Sequence, residues 1–267
     1  MVEFRNFSKT KNFGTVELTG TDYENDSIGG VLRKWTFLKN GHKYYVKTFS
    51  KSLSGFDCYE CENECFAYNL FQLLGLPSVK YTLDEINYRG VIYKVCVSKD
   101  YAHNCTQDCI YECIPGIDAV KGIERYNLII SYLPSIKGQL DQIIIGDFII
   151  NNRDRHLHNF ELVTDDSGKL SLPCYDNGNS LYYDVRDKSL KLFYNLSWSS
   201  CPSKPFYSSW GNQLSIIDLT KYSLNKAYPE EIKLLLNKYY SKKRSELLLK
   251  LILTRLQVLE DKGVNFL

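Results

Sequence analysis

Nowhere in its 267 residues does this chain carry a run approaching the roughly 18 consecutive apolar residues that a membrane-spanning helix needs, so no such span is expected. The N-terminal stretch MVEFRNFSKTKNF lacks the apolar core of a secretory signal, and the expectation is a protein that is cytoplasmic where it is made, later delivery into a host cell being compatible with that. Net charge is also scarce. Lys and Arg number 33 against 31 Asp and Glu, and the resulting +2 is too small to announce nucleic acid or an anionic membrane as a partner. Only four histidines are present and no C-x-x-C pair is repeated, which argues against a structural zinc site. Internal repeats, low-complexity tracts and long linkers are missing too, which excludes a solenoid or a string of tethered modules.

What is present is ordinary globular stock, 44% hydrophobic and 24% charged, enough for two lobes with separate cores. Nine cysteines, an odd number without a signal peptide, fit reduced thiols rather than a disulfide framework. Cys58, Cys61 and Cys65, and then Cys105, Cys109 and Cys113, recur at spacings of three and four, which predicts two buried helical faces. The basic group Lys238, Lys242, Lys243 and Arg244 reads as a solvated helix face.

Periodicity divides the chain in two. Residues 13–50 are strand-like, with turns at 25–30 and at Asn40–Gly41, and 59–74 carries apolar positions at helical spacing, stopped by Gly75 and Pro77. Strands are predicted again at 78–83 and 90–97. Beyond Lys99 helices are predicted at 122–133 and 136–150, and two more within 229–262. The expected architecture is α+β and two-lobed, a small β-rich N-lobe (1–97) and a larger, mainly helical C-lobe (98–267), joined near 98–101 with a ligand cleft at the junction.

The chemistry is concentrated in NRDRHLHNF, residues 152–160, and in Asp176-Asn177-Gly178 sixteen residues further on. Asp154 and Asn159 stand five apart, the interval between base and metal ligand in a kinase catalytic loop. Phosphoryl transfer asks a protein for position and charge: a carboxylate beside the acceptor hydroxyl, here Asp154, and hard oxygens for Mg²⁺, here Asn159 and Asp176. The intervening FELVTDDSGKLSLPCYD alternates as two short strands with a turn at 165–168, folding Asp176 back toward Asn159. His156 and Arg155 read as structural members of the loop, and Asp147 as a partner between helix and loop.

Upstream, Lys47 in KYYVKTF sits where a kinase places the lysine that holds the nucleotide phosphates, with Glu64 as its preferred ion-pair partner and Glu62 second. In SIGGVLRK, Ser27 to Lys34, Gly29 and Gly30 permit close approach of backbone amides to phosphate oxygens.

With its N-x-D-R-H-x-x-N motif complete in Asn152, Asp154, Arg155, His156 and Asn159, and PCYDNGNSL following, the chain resembles the HipA-like family of bacterial serine/threonine kinases, including its compact CtkA-type members. The resemblance extends to Ser27, Ile28, Gly30, Lys34, Lys47, Asn63 and Glu64. It implies a two-lobed protein-kinase-like fold, ATP and Mg²⁺ as cofactors, and a protein substrate phosphorylated on serine or threonine. It also implies Asp154 as base, Asn159 and Asp176 as metal ligands, Lys47 and Glu64 at the phosphates, and backbone near Cys96 to Ser98 at the adenine. Ser27 matches a position the family can autophosphorylate, a modification whose charge beside the nucleotide phosphates would inhibit. Leu32 stands where the family commonly has glutamine, and an antitoxin-contacting N-terminal subdomain is not expected. Two other readings use the same residues: a phosphoinositide-type lipid kinase, and a nucleotide-binding pseudokinase acting as an interaction module. The segment 192–214, rich in Ser, Trp, Tyr and Pro, is expected to shape the acceptor site.

Overall fold

A computed structural model describes residues 2–4, 15–21, 34–51, 55–193 and 197–267. The N-terminal part is built from β1 (Val2–Phe4), β2 (Thr15–Val16), β3 (Thr19–Thr21), β4 (Lys34–Lys39), β5 (His42–Lys47), helix α1 (Glu60–Leu74), β6 (Tyr81–Tyr88) and β7 (Val91–Lys99). The seven strands make one sheet in the order β2-β1-β6-β7-β5-β4-β3, every neighbouring pair antiparallel. Its two long hairpins close on residues that tolerate positive φ, Asn40 (51°) with Gly41 (74°), and Arg89 (53°) with Gly90 (81°), the pairing a tight two-residue turn requires. The second of these turns sets the register Tyr88↔Val91, so β6 and β7 run longer than the stretches at 78–83 and 90–97 that alternation predicts.

Helix α1 stops at Gly75, whose φ of 75° lets the Leu76 amide turn back to the Phe71 carbonyl at 2.8 Å. It belongs to two cores at once. Cys61 and Cys65 pack against Val79, Tyr81, Leu83 and Cys96 under the sheet. Further along, Phe66, Ala67, Leu70, Phe71 and Leu74 join the main core of the helical part. The opposite face of the sheet is closed by Phe4, Trp35, Phe37, Val46, Ile86, Val95 and Val97.

Beyond β7 come β8 (Thr106–Cys109), α2 (Ile110–Cys113), α3 (Gly122–Tyr132), α4 (Lys137–Ile150), β9 (Glu161–Thr164), β10 (Leu170–Ser171), α5 (Asp187–Phe193), α6 (Trp210–Leu214), β11 (Ser223–Leu224), α7 (Pro229–Leu236), α8 (Lys242–Asp261) and β12 (Asn265–Phe266). The molecule is thus α+β, an N-terminal antiparallel sheet followed by a mainly helical part. Helix α4 is apolar nearly all round and buried from Ile143 to Ile150, which makes it the axis of that part. Among the described residues no helix is long and apolar enough to cross a membrane.

Two sequence readings need correction. Cys105, Cys109 and Cys113 do not share a helical face, since they fall in a turn, at the end of β8 and in α2, and Cys113 is exposed. Arg244 is not solvated: it is fully buried, donating to the carbonyls of Leu181, Tyr182 and Val185, with its guanidinium 3.8 Å from the centre of the Tyr59 ring. Its neighbours Lys238, Lys242 and Lys243 are exposed.

Candidate active site

The catalytic-loop candidates follow directly from the end of α4. Asn151 caps the helix with φ 52°, and its side-chain oxygen accepts from Arg255 (2.8 Å) and from the Trp210 ring nitrogen (3.2 Å). Asp147, one turn earlier and buried, accepts from Arg155 Nε (2.8 Å), Arg155 Nη2 (2.9 Å) and Asn152 Nδ2 (2.9 Å). This forked contact is the geometry a guanidinium and a carboxylate prefer. Arg155 also donates to the Asn177 side chain (2.7 Å) and to the Tyr175 carbonyl, tying the loop to the segment that bears Asp176. Burial alone would lower the pKa of Arg155, but the Asp147 carboxylate outweighs it and the net shift is upward.

Asp154 sits on this braced loop, its amide donating to Asn152 Oδ1 at 3.1 Å. Its carboxylate is engaged at both oxygens, Oδ1 by Lys204 Nζ (2.8 Å) and Oδ2 by Asn179 Nδ2 (2.8 Å). Asn159, buried, points its amide nitrogen at the Asp154 carbonyl (3.5 Å), which leaves its side-chain oxygen as the group available to a ligand. His156 is half-buried. Its Nδ1 is buried without a hydrogen-bond partner among the described residues, and burial pulls the imidazole pKa down. His158 is exposed, its ring 4.2 Å from that of Tyr111.

The strands β9 and β10 pair antiparallel through Thr164↔Leu170, and the Asp165 side chain accepts from the amides of Ser167 (2.9 Å) and Lys169 (3.1 Å), so the turn at 165–168 forms. The chain then returns to Asp176, which holds a φ of 60°, an uncommon conformation for a residue with a side chain.

Here the two parts of the molecule meet. Lys47, at the end of β5, places Nζ 3.1 Å from Glu64 Oε1 and 3.0 Å from Asp176 Oδ1. The other Glu64 oxygen accepts from the Asn177 amide at 2.8 Å. Glu62 is occupied elsewhere, with Lys94 at 2.6 Å. Although burial opposes its charge, Lys47 is driven well above the usual lysine range by Asp176 and Glu64. In return the Lys47 ammonium holds the Asp176 carboxyl far below the usual carboxylate range, against the effect of burial. Asn63 completes the junction from inside α1: fully buried, it donates to the carbonyls of Gly178 (2.9 Å) and Ser180 (2.6 Å) and accepts from the Tyr240 hydroxyl (2.7 Å).

The residues expected near the adenine, Cys96 and Ser98, lie just before the chain leaves the sheet. Both residues lie inside β7, paired on one side with β5 (Lys47↔Cys96, Tyr45↔Ser98) and on the other with β6 (Leu83↔Cys96, Tyr81↔Ser98). A central strand has already committed its backbone donors and acceptors, and the Cys96 thiol faces α1. The chain leaves the ladder only after Lys99, where Tyr101 stacks on Tyr175 with centroids 5.6 Å apart and donates to Glu161. Ser27, Ile28, Gly29, Gly30 and Leu32 lie outside the described residues.

Asn179 and Lys204 are contacts of Asp154 that sequence reasoning missed. Asn179 follows Asp176 by three and could have been flagged by that closeness; Lys204 is fifty residues from Asp154 and nothing in its local spacing marks it. The donor set suits Mg²⁺. An ionised carboxylate and a neutral amide oxygen are hard ligands, and two of them suffice when phosphates and water complete the shell.

The fold is kinase-like. Helicobacter pylori proinflammatory kinase CtkA, solved by crystallography, superposes with a TM-score of 0.63 over 93% of this chain and 95% of its own, at 16% identity. HipA from the Shewanella oneidensis MR-1 complex of HipA, HipB and operator DNA aligns over 88% of this chain and 58% of its own, with a TM-score of 0.41 and 12% identity. No protein-family model matches the sequence, and no curated protein does.

Proposed function

We propose that this chain is an ATP- and Mg²⁺-dependent protein kinase that moves the γ-phosphoryl group of ATP to serine or threonine hydroxyls, with an N-lobe of 1–97 and a C-lobe of 98–267. The observation that carries the reading is the convergence of Lys47 on Glu64 and Asp176, a buried ammonium shared by carboxylates from two distant segments. An isolated structural ion pair needs one carboxylate. A lysine held by Glu64 with Asp176 beside it is instead poised to take phosphate oxygens in a cleft between the two parts.

In this reading Asp154 orients the acceptor hydroxyl and takes its proton, while Asn159 and Asp176 hold the metal. Bound Mg²⁺ supplies charge neutralisation at the nucleotide phosphates. Lys47 holds the α- and β-phosphates, and adenine lies near the end of β7, from Cys96 and Ser98 to the crossing at 99–101 beside Tyr101 and Tyr175. Gly29 and Gly30 are the candidates for backbone contacts to the phosphates, and Ser27 is the candidate for autophosphorylation. Arg155 and Asn152 act by bracing the loop.

Intact mass after incubation with Mg²⁺ and ATP, with and without a generic acceptor protein, tests the reading. The wild-type chain gains phosphate or passes it on, and Asp154→Ala loses transfer by at least about 1,000-fold while still binding nucleotide. Unchanged phosphorylation by Asp154→Ala would reject the role given to that residue.

A further inference from the structure

The Lys204–Asp154 pair has the geometry of a site and little of the character of a stabilising contact. Both side chains are substantially exposed, 51% and 40%, and pairs of that kind contribute little to folding. The backbone beneath Lys204 is nevertheless held with care. Gln213, fully buried, spends both ends of its amide there: Oε1 accepts from the amides of Phe206 (3.2 Å) and Tyr207 (3.0 Å), and Nε2 donates to the Lys204 carbonyl. Arg125 donates to the Pro205 carbonyl (3.2 Å), Ser203 Oγ to the Tyr207 carbonyl (2.8 Å), and the Gly122 amide to Phe206 (3.1 Å). A loop templated from inside, with one lysine extended from it onto Asp154, fixes where the ammonium can be.

The two arginines of the catalytic loop are committed elsewhere. Arg155 is turned inward onto Asp147, and Arg153 is paired with Asp184 at 2.9 Å. An ammonium carries three N–H donors and Asp154 takes one of those of Lys204, so others can reach phosphoryl oxygens without breaking the existing bond.

We propose that Lys204 is a catalytic residue of the acceptor side, holding the phosphoryl group in transit while anchored on Asp154. The inference rests on the kinase reading above. As the bond from the γ-phosphorus to the β–γ bridging oxygen breaks and that to the acceptor oxygen forms, the electron pair leaves with ADP. The acceptor's proton passes to Asp154, and Lys204 keeps its own proton throughout. Its charge opposes the negative charge gathered on the peripheral oxygens, which is where an ordered cation accelerates such a transfer.

The test compares wild type, Lys204→Met and Lys204→Arg as full chains. Steady-state kinetics with ATP and casein are measured beside calorimetric affinities for MgADP alone and MgADP with fluoroaluminate, a mimic of the phosphoryl group in transit. Expected for Lys204→Met is a fall in kcat of about 100-fold, with KM for ATP and affinity for MgADP within about twofold, and loss of the extra affinity that fluoroaluminate confers. Lys204→Arg should recover at least about a tenth of the lost rate. If Lys204→Met fails to fold, Lys204→Gln carries the same comparison. A kcat within threefold of wild type, a kcat that rises because the lysine was blocking the acceptor, or an equal loss of affinity for MgADP with and without fluoroaluminate would each overturn the proposal. A wild-type chain that neither binds MgADP nor transfers phosphate removes the kinase reading and this inference with it, whereas an active wild type with an indifferent Lys204→Met removes the inference alone.

Discussion

Glu60 opens α1 one turn before Glu64 and is 3% exposed, with Oε1 accepting from the amide of Ser50 (3.3 Å) and from its hydroxyl, and with Oε2 buried and lacking a hydrogen-bond partner among the described residues. Burial pushes its carboxyl up to about 7, with the Ser50 hydroxyl pulling the other way. The folded chain therefore binds this proton more tightly than the unfolded chain does, so the stability it contributes is complete below an ordinary carboxylate pKa of about 4 and is lost as pH rises through 7. Glu60→Gln removes that loss. Urea denaturation should show the variant gaining on wild type by on the order of 2 kcal/mol between pH 5 and pH 8, and a difference independent of pH would refute the assignment. Legibility at this scale depended on whether a residue's partner lay at a recognisable interval. Asp154 and Asn159 stood out because five-residue spacing carries a meaning, and the Lys47–Glu64 pair because a strand lysine and a helix glutamate have a known relation. Arg244 was misread because a basic cluster in a sequence does not reveal that one member reaches under the helix to three carbonyls. Lys204 was invisible because the loop that aims it is organised by Gln213 and Arg125, far from Asp154 in sequence.

Helices α1 and α4 approach each other closely at Gly146, where a methyl group would stand 2.8 Å from the Phe71 ring. Phe71 is 1% exposed and cannot swing into solvent, so the clash would be relieved only by moving a helix or distorting the ring's rotamer. Gly146→Ala should cost roughly 1–2 kcal/mol, the overpacking outweighing about 1 kcal/mol of improved helix propensity. A denaturation midpoint at or above wild type would show that the helices have room to part. Among elements, long periodic segments were readable and short pairings were not. The hairpin at Asn40–Gly41 and the stop at Gly75 announce themselves through residues that accept positive φ. Strands such as β1, β2 and β8 are two to four residues long and exist because a neighbouring strand offers an edge, which no local pattern records.

For the whole molecule, a ligand that bridges the sheet and the helical part stabilises both by mass action. Under the kinase reading, MgATP at about 100 times its Kd should add roughly 2.7 kcal/mol to unfolding, seen as a rise in Tm, and Lys47→Met should abolish most of that rise. An equal rise in the variant would place the nucleotide away from Lys47. The two-part architecture could be anticipated because the strand-rich and helix-rich halves differ in period. What could not be anticipated is that α1 would be common property, with Cys61 and Cys65 under the sheet and Phe66 to Leu74 in the helical core. Asn63 fastens that helix further, through the carbonyls of Gly178 and Ser180 and the hydroxyl of Tyr240. Swinging α1 outward would orphan several buried polar groups and tear hydrophobic surface from two places in a single motion. A helix riveted on both flanks is unsuited to act as a clutch, so under the kinase reading any throttle would govern how the reactants arrive rather than whether the machinery is assembled.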